Sequence, residues 1–336
     1  MKKIHLSLLL IFATITTNFQ NVCAQEQNAI DSLLKILKTT TIDTVKVDIL
    51  NSLCQKYQRS NPEKAEGYVM QALQLAKKIT YKKGIAGSLN HIGSIHEEQG
   101  NYNKAIENYQ KALIIFQELG AKKGIANNLN NIGIIYKEQG NYDKAIEYYQ
   151  QAINWARQNG DRIGETKALN QLGETFLELK KTSEAIETLK TSAEVFESLR
   201  PGLRDDEKVS LFETQSAIYS TWQTALVEQG NSITALEIAE RGRARAFVEL
   251  LAQRLSDKPQ REAAVKYPIL ADIQAIAKSQ QATLVTYSIL SDSEIYVWIV
   301  NPNGNIGFKS IDLKPIEAKQ QAIVASNLSQ SNRGEQ

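Results

Sequence analysis

Gly124-Ile-Ala-Asn-Asn-Leu-Asn-Asn-Ile-Gly-Ile-Ile-Tyr136, broken at Gly140-Asn141-Tyr142 and resumed as Asp143-Lys-Ala-Ile-Glu147, is the stretch whose reading decides the fold. Forty residues earlier, Gly84 to Glu107 says nearly the same thing. Across 84–123 and 124–163, 21 of the 40 aligned positions are identical, without a gap. A fixed period of this length marks stacked units. Leu129, Ile132, Gly133 and Tyr136 fall at i, i+3, i+4 and i+7 and share one helical face. Gly140-Asn141 ends that helix, because Gly accepts a left-handed C-cap and Asn suits the turn. The second helix opens with Asp143 at its positive end. Its apolar stripe is Ala145, Ile146, Tyr149, Ala152 and Ile153. Gly133 and Ala145 are small where two helices approach; Tyr136 and Tyr149 are large where a neighbouring unit must be filled. One unit cannot bury this face alone, whereas a stack can.

The pattern extends in both directions. Leu50, Leu53, Cys54 and Tyr57 fill the first-helix columns of an earlier unit, and Ala65, Val69 and Ala72 the second. Asn61-Pro62 shortens its turn, and Pro suits a first helical turn. Leu169, Leu172, Gly173 and Phe176, then Ala185, Ile186 and Leu189, make a fourth unit, with Lys180-Lys181 in place of Gly-Asn. After Arg200-Pro201-Gly202 comes a longer, degenerate fifth unit: Tyr219, Trp222 and Leu226, the turn Gln229-Gly230-Asn231, then a long helix from Ala235 to Gln253. The expected units are 44–83, 84–123, 124–163, 164–200 and 204–254, preceded by a capping helix within 25–43. A coiled coil is excluded, because glycine-containing breaks recur every half-unit and no heptad survives them. The columns resemble the tetratricopeptide repeat (TPR) in its forty-residue form.

The first 24 residues differ in kind. Lys2-Lys3 is a basic start, Leu6 to Ile15 an apolar run, and Val22-Cys23-Ala24 a small-residue junction. The run is shorter than the roughly 20 residues needed to span a bilayer, so it reads as a cleaved secretory signal. The expected location is therefore exported, periplasmic or secreted after cleavage near Ala24. Removing the leader takes Lys2 and Lys3 with it and leaves 37 basic against 37 acidic side chains. That balance argues against a nucleic-acid or anionic-membrane surface. Cys54 is then the only cysteine, so no internal disulfide forms. It stands in the column of Gly93, Gly133 and Gly173 and reads as a small buried packing residue. No later segment is apolar for long enough to make a stable membrane anchor.

The basic run in Leu236 to Phe247 invites a nucleic-acid reading, but no aromatic side chains interleave it. A solvated face pairing Glu237 with Arg241, and Glu249 with Arg245, is expected instead. Residues 255–282 read as a linker. The period then changes to that of strands: Thr283 to Leu290, Glu294 to Val300, the turn Asn301-Pro302-Asn303-Gly304, and Ile306 to Leu313. These read as an antiparallel start to a sheet, followed by a helical pattern from Pro315 to Leu328. Tyr296 to Val300 is apolar on both faces, so both are expected to be covered. A sheet left incomplete would expose an edge and offer a route to association.

The long basic helix, Thr283-Leu284-Val285-Thr286-Tyr287 and Ile295-Tyr296-Val297-Trp298-Ile299-Val300 together resemble the entry to a CHAT domain, which implies a caspase-like α/β fold over 283–336. Complete members carry a cysteine–histidine dyad, but no Cys or His follows His96 here. His91 and His96 are five apart and do not make an i, i+4 metal pair. His96, in the Tyr136 column, is expected to pack, and His91 to be exposed. The expectation is therefore a mainly α protein: a right-handed TPR α-solenoid of about five helix pairs followed by a partial α/β domain, with no catalysis and no cofactor or metal.

In such arrays the first helices line the concave surface, the resemblance implies. Asn51, Asn90, Asn130 and Asn170 recur once per unit beside the apolar column. An Asn amide both donates and accepts, so these four suit the backbone of an extended peptide; they equally suit bonds between neighbouring helices of the stack. Asn127, Lys137, Lys167, Glu97 and Glu174 lie on or near the same surface. A scaffold for a protein or peptide partner is one functional class. A fragment of a CHAT-type cysteine peptidase is another, and a TPR sensory ectodomain a third.

Overall fold

The structure, a computed structural model, describes residues 27–199, 212–255, 268–291 and 294–314. The expected leader, the Arg200-Pro201-Gly202 break, the Glu249–Arg245 pair and the helix at Pro315 to Leu328 lie outside what it describes. The chain divides into two compact units, one up to Asn159 and one from Gly160.

Among the described residues, every regular element of the first unit is a helix. Helix α1 spans 27–39. Three pairs follow: α2 (Asp43–Tyr57) with α3 (Pro62–Lys78), α4 (Lys82–Glu98) with α5 (Tyr102–Glu118), and α6 (Lys122–Glu138) with α7 (Tyr142–Gln158). The ends of these helices follow from their residues. Gly100 and Gly140 both sit at φ +71°. Asn101 N donates to His96 O at 2.8 Å and Gly100 N to Glu97 O at 2.9 Å, and the same two bonds recur at Asn141 and Gly140. This is the Schellman arrangement, which satisfies carbonyls that a helix end leaves open. Asn61 and Asn141 cap the helices that follow, through the backbone amides of Lys64 and Lys144. At the start of the stack, Ile30 of α1 is buried with Ile49 and Leu53, covering a face that no earlier repeat would cover.

Within each pair, a small residue on the first helix faces a larger one on the second. A Cβ built on Gly133 would lie 2.6 Å from Tyr149 Cε1, and one on Gly93 would lie 2.8 Å from Tyr109 Cδ1. Tyr149 thus fills its own repeat, and Tyr109 in the same column also packs with Ile132 and Ile135 of the following pair. In the first pair the column holds Cys54, buried in one cluster with the smaller Val69. Volume is conserved across the column even though the residues change.

The second unit begins with α8 (Arg162–Glu178) and α9 (Thr182–Leu199), continues with α10 (Phe212–Glu228) and α11 (Ser232–Leu255), and adds α12 (Leu270–Gln280) and a sheet. Gly173 faces Leu189 as Gly133 faces Tyr149. The sheet runs β1 (Leu284–Ser291), β2 (Glu294–Val300), β3 (Ile306–Asp312), in that order and antiparallel throughout. The segment 255–282, read as a linker, contains α12. The sheet is not a separate domain: Leu189, Phe196, Trp222, Leu236, Ile273, Tyr296 and Trp298 belong to one buried core.

Helix α11 joins the two kinds of structure. Trp298 Nε1 donates to Ser232 O at 2.7 Å, Thr286 Oγ1 to Glu240 Oε1 at 2.9 Å, and Leu270 N, at the start of α12, to Glu237 Oε1 at 2.8 Å. Arg243 donates to Tyr287 O on β1 and also bonds Glu240. The expected Glu237–Arg241 pair is replaced. Arg241 instead forks onto Glu197 at 2.7 and 2.9 Å, a bidentate geometry that a guanidinium matches well. Tyr219 OH donates to the same carboxylate. Glu237, Glu240, Arg241 and Arg243 of α11 therefore hold tertiary structure together.

Candidate functional site: the first-helix face

In the first unit, four columns of the first helices run side by side. On α6 they are Asn127, Asn130, Ile134 and Lys137; on α4, Gly87, Asn90, Ser94 and Glu97; on α2, Asp48, Asn51, Gln55 and Gln58. The spacing i, i+3, i+7, i+10 keeps each set on one helical face. Asn127 is exposed, Asn90, Asn130 and Lys137 are half-buried, and Asn51 is buried. Lys137 already interacts within the fold.

The asparagines bond forward along the stack. Asn51 Oδ1 accepts from Ser88 Oγ at 2.9 Å. Asn90 Nδ2 donates to Asn128 Oδ1 at 3.2 Å, while Asn128 Nδ2 donates to Gly124 O at 2.8 Å. Ser88 and Asn128 are forty residues apart in one column, and both are fully buried. Each bond therefore ties the first helix of one repeat to that of the next. At Asn130 the pattern stops: its Oδ1 is buried and has no hydrogen-bond partner among the described residues.

Beside this ladder lies a second network that the repeat pattern did not disclose. Tyr109 OH donates to Glu97 Oε2 at 2.6 Å, and Ser94 and Asn131 bond the same hydroxyl. Gln58 Nε2 reaches Ser94 Oγ at 2.7 Å and Glu98 Oε1 at 2.9 Å, linking the first repeat to the second. Burial pushes the Glu97 carboxyl above the usual carboxylate range; Glu98 and Glu138 push it the same way, and the Tyr109 hydrogen bond pulls it back. His91 is half-buried, not exposed, and desolvation holds its pKa below the ordinary imidazole value. His96 packs half-buried, with Nδ1 3.4 Å from Gln99 Oε1. The available signal was polar residues inside the buried half of a helix, at Ser88, Asn128 and Asn131.

In the second unit, Lys167 is exposed on α8. Asn170 is buried and donates to Glu174 Oε1 at 2.8 Å. Cys54, in the first unit, is buried, and burial, then the Glu98 charge, lifts its thiol to about 11. A thiol held protonated is a poor nucleophile. Among the described residues no group of three or more His, Cys, Asp or Glu is arranged to hold a metal. The chemistry on offer is hydrogen bonding by amides, hydroxyls and a raised carboxylate along a helical face.

A model of the tetratricopeptide repeat matches residues 84–158 and 124–198. The repeats within 84–198 thus match the tetratricopeptide repeat. Over 125 residues the chain is 35% identical to tetratricopeptide repeat protein 28 of Mus musculus and 34% identical to that of Homo sapiens, in each case 37% of this chain. It spans only 5% of the length of those relatives. Among solved structures it is similar to BtubC (BKLC) from P. vanneervenii, with a TM-score of 0.52 at 17% identity, covering 73% of this chain and 96% of that one. That likeness concerns the fold: a TPR-like solenoid, here followed by a small antiparallel sheet.

Proposed function

We propose that this chain is a scaffold that binds an extended segment of a protein partner along the first-helix face of its TPR array, without catalysis of its own. TPR repeats are suited to a protein-interaction role. The observation that carries the finer reading is the run of half-exposed polar positions at one column set in consecutive helices: Asn90, Ser94 and Glu97, then Asn127, Asn130 and Lys137. Such a row presents donors and acceptors at regular intervals, as an extended backbone requires. Asn51 and Asn90 contribute through the stack, Ser94 and Asn130 are half-buried, and the most open contact falls to Asn127. Lys167 and Glu174 of the second unit add charge of both signs to its own first helix. The test is affinity capture with residues 25–336, wild type against Asn127→Ala/Asn130→Ala. Loss of the partner at unchanged melting temperature supports the reading, and equal capture refutes it.

We infer export from the leader pattern at 1–24, which N-terminal sequencing of the protein from the extracytoplasmic fraction checks. Among the described residues no helix is long and apolar enough to cross a membrane. A second reading, a piece of a CHAT-type cysteine peptidase, is favoured by the three antiparallel strands that follow the array. Sequencing the coding DNA past Gln336 decides it, through the presence or absence of an in-frame His and Cys region.

A further inference from the structure

Helix ends that share one edge of the first unit carry a run of lysines. Lys77-Lys78 close α3, Lys82-Lys83 open α4 and Lys122-Lys123 open α6. Contacts bring these ends together. Lys82 Nζ meets Glu118 Oε2, at the end of α5, at 2.8 Å. A Cβ on Gly124 of α6 would lie 2.5 Å from Phe116 Cδ1 of α5. The Asn90–Asn128 bond ties α4 to α6. All six lysines are exposed, and only Lys82 makes an ion pair among the described residues. The carboxylates beside them are engaged: Glu118 by Lys82, and Asp48 by the hydroxyl of Tyr81 at 3.2 Å.

Helix stability does not account for the pairs at 82–83 and 122–123. The first turn of a helix carries positive partial charge, so acids are favourable there and cations are not. Neither α4 nor α6 has an acid in its first turn or a side-chain cap. By contrast α7 has Asp143 and the Asn141 cap, and α8 has Glu165 and the Asp161 cap. A local rule is thus broken twice at one edge by solvated side chains, and unforced breaks of this kind are expected where a surface has a function. We propose that this lysine edge is a second contact surface, separate from the amide-rich first-helix face, and that it takes an acidic segment of a protein partner. Neighbouring helices stand about 10 Å apart. The two lysine pairs therefore match carboxylates roughly three residues apart on an extended chain, which rises about 3.3 Å per residue. Ammonium groups on flexible stems pair readily with such single charges. A bilayer or a nucleic acid fits less well, because its continuous negative charge would also meet Glu118 and Asp48. Without the leader, 37 basic side chains balance 37 acidic ones, which suits a local contact over a broad polyanionic one.

The test uses the full mature chain and two fluorescein-labelled probes, a Glu–Ser and a Lys–Ser repeat peptide, read by fluorescence anisotropy. The Glu–Ser probe is expected to bind, more weakly as salt rises, and the Lys–Ser probe is not. Lys83→Glu/Lys123→Glu should weaken Glu–Ser binding several-fold and yet raise the melting temperature, because acids then stand where the helix dipole favours them. A loss of binding joined to a gain in stability separates the contact from the fold. Lys83→Gln/Lys123→Gln, neutral at the same positions, should bind between the two. Glu–Ser binding unchanged in both variants overturns the proposal. So do vesicles of phosphatidylcholine and phosphatidylserine that bind the wild type more tightly than the Glu–Ser probe does and release Lys83→Glu/Lys123→Glu, since that result gives the edge to a membrane.

Discussion

Gly133 lies against the ring of Tyr149 so closely that a methyl group has no room: its Cβ would stand 2.6 Å from Cε1. The ring is fully buried and has nowhere to retreat. Gly133→Ala gains about 1 kcal/mol of helix propensity, but overpacking a core costs about 1–3 kcal/mol. The clash should win, giving a lower urea midpoint. Tyr149→Val added to Gly133→Ala should recover part of the loss, because Cys54 already faces the smaller Val69 in the first repeat. Strict additivity of the two changes would contradict the contact.

Asn51 and Ser88 are both buried and bond each other across the repeat boundary. Asn51→Ala leaves the Ser88 hydroxyl without that acceptor, which costs about 1–3 kcal/mol. The expected result is a lower melting temperature. An unchanged melting temperature together with weakened partner binding would move Asn51 from the stack to the binding surface.

Lys180 occupies the turn where the second, third and fifth repeats have Gly100, Gly140 and Gly230, at φ 57°. A side chain in that backbone region costs about 1–2 kcal/mol. Its ion pair with Glu228 is exposed on the lysine side and contributes little. Lys180→Gly should therefore raise the stability of the second unit by up to about 1 kcal/mol, read as a higher denaturant midpoint.

Glu97 has a folded-state pKa above its unfolded one, so the folded protein binds the extra proton in the interval between them. Its contribution to stability therefore falls as pH rises through that interval and stays low above it. Glu97→Gln keeps an oxygen for the Tyr109 hydroxyl and removes the charge. The variant should be more stable than wild type at pH 7, and the difference should shrink towards zero on acidification below the usual carboxylate range. A difference independent of pH would contradict the assignment.

Much of the fold was legible because its signals are local and repeated. Gly140 ends a helix wherever it stands, and a column of Leu, Ile, Gly and Tyr declares a buried face without reference to any other part of the chain. The strands were legible by composition, as Glu294 to Val300 shows. What escaped was whatever depends on a distant partner. Arg241 faces Glu237 four residues away on paper, but Glu197 on another helix offers a better fork. Helix α12 went unread within 255–282 although one of its caps is local: Asp272 accepts from Ile269 N, and Glu237, 33 residues upstream, accepts from Leu270 N. Asn90 read equally well as a ligand contact and as a stack contact, since one amide serves both. Only the position of Asn128 separated the two.

A partner that engages the first-helix face of the repeats lies within reach of Asn127 and Ser94. A photo-crosslinking residue is placed singly at those two positions, and at the outward-facing Met70 and Ile114 of the second helices, both exposed, in the chain expressed in its own host. Binding on the first-helix face should give a shared cross-linked species from Asn127 and Ser94 and none from Met70 or Ile114. Cross-links confined to Met70 and Ile114, or equal at all four, would contradict it.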